Sequence, residues 1–156
     1  MYKIKSIIFD LDGVLVETKD LHFNALNKSL LECESNTQIS YDEHIKIFDG
    51  LPTDEKLKIL NKNKRVNPKL NKKIKELKQL HTVKLLNKEI KYNSKIYSLI
   101  EKLSKKYDIA VATNAVRSTL DMCLKKLKIK KFIKYSISNE EVFNPKPHPE
   151  IYMKAM

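Results

Sequence analysis

Asp10 and Asp12 stand two residues apart where the apolar run Ile7-Ile8-Phe9 gives way to Asp10-Leu11-Asp12-Gly13-Val14-Leu15. At a strand end that spacing lets both residues bring side-chain or backbone groups to one spot. Two carboxylates that close cannot both stay ionised cheaply unless a cation lies between them or one holds a proton. The conflict has two chemical uses. The pair can bind a hard cation such as Mg²⁺, or it can divide into a nucleophile and an acid/base. Gly13 permits the sharp turn that aims both groups outward. A calcium loop is excluded, because it needs Asp or Asn at its fifth position and Gly at its sixth, where this chain has Val14 and Leu15.

Two other places could supply chemistry. Thr113-Asn114 closes the short apolar run Ile109–Ala112, just before a helix start, where free backbone N–H groups gather to receive an anion. Lys146 sits between Pro145 and Pro147 in a stiff loop, which makes it a candidate fixed cation. His44, His81 and His148 show no partner pattern.

The elements that must position these groups can be read from periodicity and caps. Met1–Asp12 reads as a strand covered on both faces. From Lys19 to about Leu86 the signals are helical. Ser40-Tyr-Asp-Glu43 has capping-box spacing, Asn67-Pro68 supplies an N-cap with proline behind it, and Leu70, Ile74, Leu77 and Leu80 form a stripe. Asn93 or Ser94 then caps a helix with Ile96, Leu99, Ile100 and Leu103 on one face. A strand over Ile109–Ala112 follows, and a second capping box at Ser118–Asp121 leads a helix through Leu127. A third strand spans Tyr135–Ser138, and a last helix starts near Glu150. The expectation is an α/β fold, a Rossmann-like parallel-sheet core built from residues 1–16 and 91–156, with an all-α cap over residues 17–90 inserted after the first strand.

Composition removes several function classes. Among 156 residues there are two glycines, Gly13 and Gly50, so glycine-rich phosphate loops and dinucleotide fingerprints are absent. No apolar run is long enough for a membrane span or a secretory signal, and two lone cysteines suggest neither a disulfide framework nor a zinc site. The expected setting is a reduced cytoplasm. The formal charge of +12 invites a nucleic-acid reading, but 29 of the 31 basic residues are lysines spread along the chain. Base-reading and bidentate phosphate contacts favour arginine, and single-strand binding wants interleaved aromatics. A solvated lysine surface is the expectation, with neither nucleic acid nor membrane as partner.

The segment from Phe9 to Leu15, the strand end Val111-Ala112-Thr113-Asn114, the loop from Asn144 to Tyr152 and the helical block between the first two resemble, in their order, the haloacid dehalogenase-like hydrolases, in the branch of the β-phosphoglucomutases and phosphoglycolate phosphatases. The resemblance covers essentially the whole chain. It implies that Asp10 is the nucleophile, that Asp12 is the acid/base, and that Asp10 with the Asp12 carbonyl holds Mg²⁺. It implies phosphate binding by Thr113 and Asn114, and charge neutralisation by Lys146. Asn114 has capping the next turn as its alternative. His22 matches a position at the cap hinge, and Lys78 one facing the substrate; a helix-surface histidine and a solvated lysine are their alternatives. The implied function is a Mg²⁺-dependent phosphatase that hydrolyses a small phosphorylated metabolite through an aspartyl-phosphate. The alternatives are a sugar-phosphate mutase and a catalytically impaired binding module. Thr53 stands where the mutase branch carries an arginine for the distal phosphate, which favours hydrolysis. A fourth, acidic motif should follow the Glu150 helix, and 156 residues do not reach it. The expectation is therefore an amino-terminal fragment, poorly active and association-prone alone. Substrate identity and oligomeric state are not legible here.

Overall fold

The computed structural model describes residues 4–33 and 37–156. The chain divides into two compact units, one of residues 1–17 and 89–156, the other of residues 18–88.

The first unit is built on a parallel sheet. Strands β1 (Ser6–Phe9), β2 (Asp108–Ala112) and β3 (Ile133–Ile137) lie in the order β1-β2-β3, with Phe9 beside Val111 and Ala112 beside Ile137. β2 is central among the described strands and buried from Ile109 onward, as a short apolar run with both neighbours paired should be. Ile7, Ile8 and Phe9 are half-buried. Helices α5 (Ser94–Ser104), α6 (Arg117–Lys126) and α7 (Glu150–Ala155) complete this unit, with α5 against β2 and α7 against β2 and β3. The Asn93 side chain caps α5 by accepting from the N–H groups of Lys95 and Ile96 at 3.0 and 3.1 Å.

The second unit is all helix. It contains α1 (Lys19–Cys33), the single turn α2 (Tyr41–Glu43) running into a π-helical turn (His44–Phe48), α3 (Thr53–Lys62) and α4 (Asn71–Glu89). Its core is Leu26, Leu30, Ile39, Phe48, Leu57, Leu60, Val66 and Ile74. The Ser40 hydroxyl accepts from Glu43 N–H at 3.1 Å, and Asn67 accepts from Lys69 N–H at 3.0 Å ahead of Pro68, so both expected caps form. Asn27 ties α1 to the following segment by exchanging hydrogen bonds with the Ile39 main chain at 2.8 and 3.0 Å. No described helix is long and apolar enough to cross a membrane.

The structure departs from the expected caps at α6. That helix starts at Arg117 with Val116 at its N-cap, so Ser118 already lies inside its first turn. Glu140 supplies the cap from outside, accepting the Arg117 N–H at 2.7 Å. Ser138 follows the end of β3 and opens the turn Asn139–Glu141 with a true capping box of its own.

Candidate active site

The site grows from the turn after β1. Leu11, Leu15 and Val16 are buried and anchor residues 10–16. The Leu15 and Val16 N–H groups donate to the Leu11 carbonyl at 2.9 and 3.1 Å, while Gly13 N–H donates to Val16 O at 2.8 Å. Gly13 has φ +74°, and a Cβ there would touch nothing within 4 Å. Glycine is thus needed for its backbone angle rather than for room. This tight winding leaves Asp10 and Asp12 at the carboxyl end of β1.

Asp10 Oδ1 receives the Leu11 N–H at 2.7 Å and the Lys146 ammonium at 2.9 Å. Among the described residues, Oδ2 takes no hydrogen bond. The Asp10 side chain is 42% exposed, so one carboxylate oxygen is oriented by protein and the other is open to a reactant. Asp12 Oδ2 accepts the Thr113 hydroxyl at 3.3 Å. Thr113 is fully buried; its Oγ1 also accepts the Ala115 N–H at 3.0 Å, and its own N–H donates to Ile137 O. One hydroxyl therefore joins the end of β2 to the end of β1.

Lys146 is held on three sides. Its Nζ donates to the Ala112 carbonyl at 2.7 Å, pairs with Asp10, and lies 5.3 Å from the Tyr152 ring centroid. Its side chain is 13% exposed. Asn114 fixes the main chain of the same residue: the amide oxygen accepts Lys146 N–H at 2.9 Å and the amide nitrogen donates to Lys146 O at 3.2 Å. Asn114 thus spends its side chain on placing the lysine loop. His22 and Lys78 lie in the helical unit, where Lys78 Nζ is 3.5 Å from His22 Nδ1 and Lys78 is buried.

Several supports went unread in the sequence. The Glu150 carboxylate accepts the N–H groups of Phe143 and Asn144, both at 2.9 Å, and the Asn144 side-chain amide at 3.1 Å. Those N–H donors, opposed by partial desolvation and helped by the Asn144 amide and Lys154, pull its pKa down to about 2. Arg117 braces the neighbouring loop by donating to Ser136 and Glu141. Burial opposes ionisation of Glu141, but hydrogen bonds from Ser138 N–H, Arg117 and the Ser138 hydroxyl hold its pKa below the usual carboxylate value. The Ser138-x-x-Glu141 spacing was a visible capping signal; the reach of Glu150 back to residues 143 and 144 had none.

The lowered Glu150 pKa makes a prediction. A carboxylate with a depressed folded-state pKa stabilises fully above its ordinary value near 4.5 and loses that contribution as pH falls towards 2. Thermal midpoints at pH 7 and pH 3 should therefore differ more for the parent than for Glu150→Gln, with the other carboxylates common to both. Parallel pH curves would remove Glu150 from its role as the loop's anchor.

A metal is implied by the paired carboxylates, and the donor set can be tested against it. Among the described residues no group of three or more His, Cys, Asp or Glu converges as a metal cage. Mg²⁺ does not need one, since it is commonly held by one or two carboxylates together with water and substrate phosphate. All-oxygen donors at Asp10 and Asp12, with an open Asp10 Oδ2, fit that habit.

Comparison with known proteins follows the same residues. The chain is 29% identical over 154 residues to a phosphorylated carbohydrates phosphatase of Thermotoga maritima, a match that spans 98% of this chain and 69% of the relative. It is 28% identical to the pyrophosphatase PpaX of Anoxybacillus flavithermus over 98% of this chain and 68% of that protein. In fold it superposes on CbbY of Rhodobacter sphaeroides, crystallised in complex with phosphate, with TM-score 0.86 and 22% identity across 98% of this chain and 71% of the other. The family model for haloacid dehalogenase-like hydrolases matches residues 7–156, from the middle of β1 through the Lys146 loop and α7. With a match of that extent, the chain belongs to the haloacid dehalogenase-like hydrolase family.

Proposed function

We propose that this hydrolase is a Mg²⁺-dependent phosphatase of small phosphate monoesters, with Asp10 as nucleophile and Asp12 as acid/base. The observation that carries the reading is the Asp10 carboxylate, one oxygen pinned by Lys146 at 2.9 Å and the other open. In the first step an Asp10 oxygen bonds to phosphorus while the phosphorus–ester oxygen bond breaks, and the leaving alkoxide takes the proton of the Asp12 carboxylic acid. In the second step water attacks the phosphorus of the aspartyl-phosphate. Its proton passes to the Asp12 carboxylate, the bond to Asp10 breaks, and inorganic phosphate leaves.

Thr113 orients Asp12, and Lys146 stabilises charge on the phosphoryl oxygens, its position set by Asn114, Ala112 and Tyr152. Asp10 and Asp12 would hold Mg²⁺, which when bound supplies further charge neutralisation at those oxygens. The helical unit selects the substrate in this reading, and the enzyme works in the cytoplasm on phosphorylated metabolites.

A relative named as a phosphatase of phosphorylated carbohydrates favours sugar phosphates, and one named pyrophosphatase keeps a phosphoanhydride as a second reading. The test is inorganic phosphate release from a panel of sugar phosphates, phosphorylated acids and pyrophosphate, with Mg²⁺ and after chelation. Turnover of a monoester that chelation abolishes is expected. Pyrophosphate as the preferred substrate would replace the first reading by the second, and turnover unaffected by chelation would remove Mg²⁺ from it.

A further inference from the structure

The fold assembles on the first unit a surface that the linear sequence does not display. Residues 90–100 and 122–139 hold no Asp or Glu, and the stretch from Lys125 to Lys134 carries six lysines in ten residues. Helix α5 packs against the turn Lys130–Phe132 that follows α6. The rings brought together there form a connected series, with centroids 5.7 Å apart from Tyr92 to Tyr97 and 5.4 Å apart from Tyr97 to Phe132. Lysines lie over the same rings. Lys128 Nζ is 5.3 Å from the Tyr92 centroid, and Lys131 Nζ is 5.3 Å from that of Tyr97 and 4.9 Å from that of Phe132. Tyr92 is 49% exposed, and both lysines are exposed.

Two ordinary reasons for such a cluster fall short. Lysines suit the carboxyl end of a helix, which explains Lys125 and Lys126 in the last turn of α6. It does not explain Lys95, in the first turn of α5, where a cation is disfavoured, nor Lys131, which lies beyond α6. Attraction to carboxylates explains the edge of the cluster, where Lys130 pairs with Asp121 at 3.1 Å and Lys134 with Asp108 at 2.7 Å. Lys131 sits beside the Tyr97 hydroxyl, with Glu101 as a weaker attraction. Lys128 stands at φ +60°, a position after a helix that usually goes to glycine. The chain keeps a lysine there, over an aromatic ring, against its backbone preference.

We propose that this surface binds single-stranded nucleic acid, with bases packing on Tyr92 and the rings behind it and the lysines meeting the phosphate backbone. Every base has a flat face, and aromatic side chains set among cations hold single strands with little regard to sequence. Such binding calls for interleaved aromatics, which the linear sequence lacks; the fold supplies them by bringing residues 92–97 against residues 128–132. Lysines act as point charges and read no base edges, so binding is indifferent to base identity. An anionic bilayer shares the charge complementarity but offers no planar groups to stack on, and the aromatic half of the surface therefore favours bases. The proposal does not rest on the assignment of Asp10 as nucleophile.

Fluorescence anisotropy of a labelled oligothymidine of about 12 nucleotides, titrated with the 156-residue chain over a series of salt concentrations, tests this. Binding should saturate at low salt and weaken as salt rises. Tyr92→Ala should lower the affinity on the order of tenfold, while Tyr92→Phe, which keeps the ring, binds as the parent does. Changing Lys128→Gln and Lys131→Gln together should flatten the plot of log affinity against log salt by about 0.7 for each lysine removed. The same charge change made at Lys46 and Lys58, whose side chains are 73% and 70% exposed in the helical unit, should leave binding unaltered. Absence of saturable binding overturns the proposal, as does parental affinity in Tyr92→Ala. Equal losses from the two lysine pairs would reduce the effect to net charge and overturn it too. So would tighter binding to phosphatidylglycerol vesicles than to the oligonucleotide, which would assign the surface to a membrane.

Discussion

Asp10→Asn should lower phosphate-ester turnover by a factor on the order of 10⁴ or more while leaving the fold intact. The amide is nearly the same size as the carboxylate, and the side chain is 42% exposed, so no core packing is at stake. The amide oxygen can still accept the Leu11 N–H that Asp10 Oδ1 accepts now at 2.7 Å. What is lost is chemistry. An amide oxygen attacks phosphorus poorly, a neutral group holds Mg²⁺ weakly, and the Lys146 ammonium loses the counter-charge 2.9 Å away. The measurement is phosphate release by parent and variant on the same ester, with unfolding midpoints recorded alongside. A variant that keeps parental turnover would show that the nucleophile lies elsewhere, and Asp12 would be the next residue to examine.

What the sequence disclosed about this site follows from how local each feature is. The turn at Gly13, the caps at Ser40, Asn67 and Asn93, and the strand Ile109–Ala112 depend on neighbours within four residues, and all are present in the structure. The face of α4 was harder. The expected stripe ran through Leu70, Ile74, Leu77 and Leu80, yet Leu80 is 47% exposed while Lys78, His81 and Thr82 are buried. Periodicity counts apolar residues, whereas burial of a polar one depends on distant parts of the chain. His81 illustrates this, with Nε2 3.1 Å from Glu32 on α1 at an angle that completes no hydrogen bond.

The α6 start failed for the same reason. Ser118–Asp121 has the right spacing for a cap, but Glu140, 23 residues on, reaches the Arg117 N–H first. Asn114 shows the limit in the site itself. Its place after Thr113 suggested a ligand or a cap, and only the fold reveals both ends of its amide committed to the Lys146 main chain. The carboxylate pair and the lysine could be read as chemistry from residue types; the groups that aim them could not, because they act across separations of 32 residues or more.

Asp12→Ala should separate two ester classes that Asp10→Asn treats alike. A general acid matters in proportion to how badly the leaving group needs a proton, and general acid–base catalysis contributes about 10²–10⁴-fold. An alkyl phosphate expels a strongly basic alkoxide, so its phosphorylation of Asp10 should slow by that factor. A nitrophenyl phosphate expels a stable phenolate, and its first step should be nearly unaffected. The second step is common to both, because water then needs Asp12 as base. Rapid-mixing experiments should consequently show a burst of about one equivalent of nitrophenolate followed by slow turnover, and no burst of alcohol from the alkyl ester. Asp12→Asn keeps an acceptor for the Thr113 hydroxyl, now 3.3 Å from Oδ2, and should give the same pattern, which separates proton transfer from positioning of Thr113. Equal slowing of the first step on both esters would mean that Asp12 serves orientation or metal binding alone, and the leaving-group proton would then have to come from solvent.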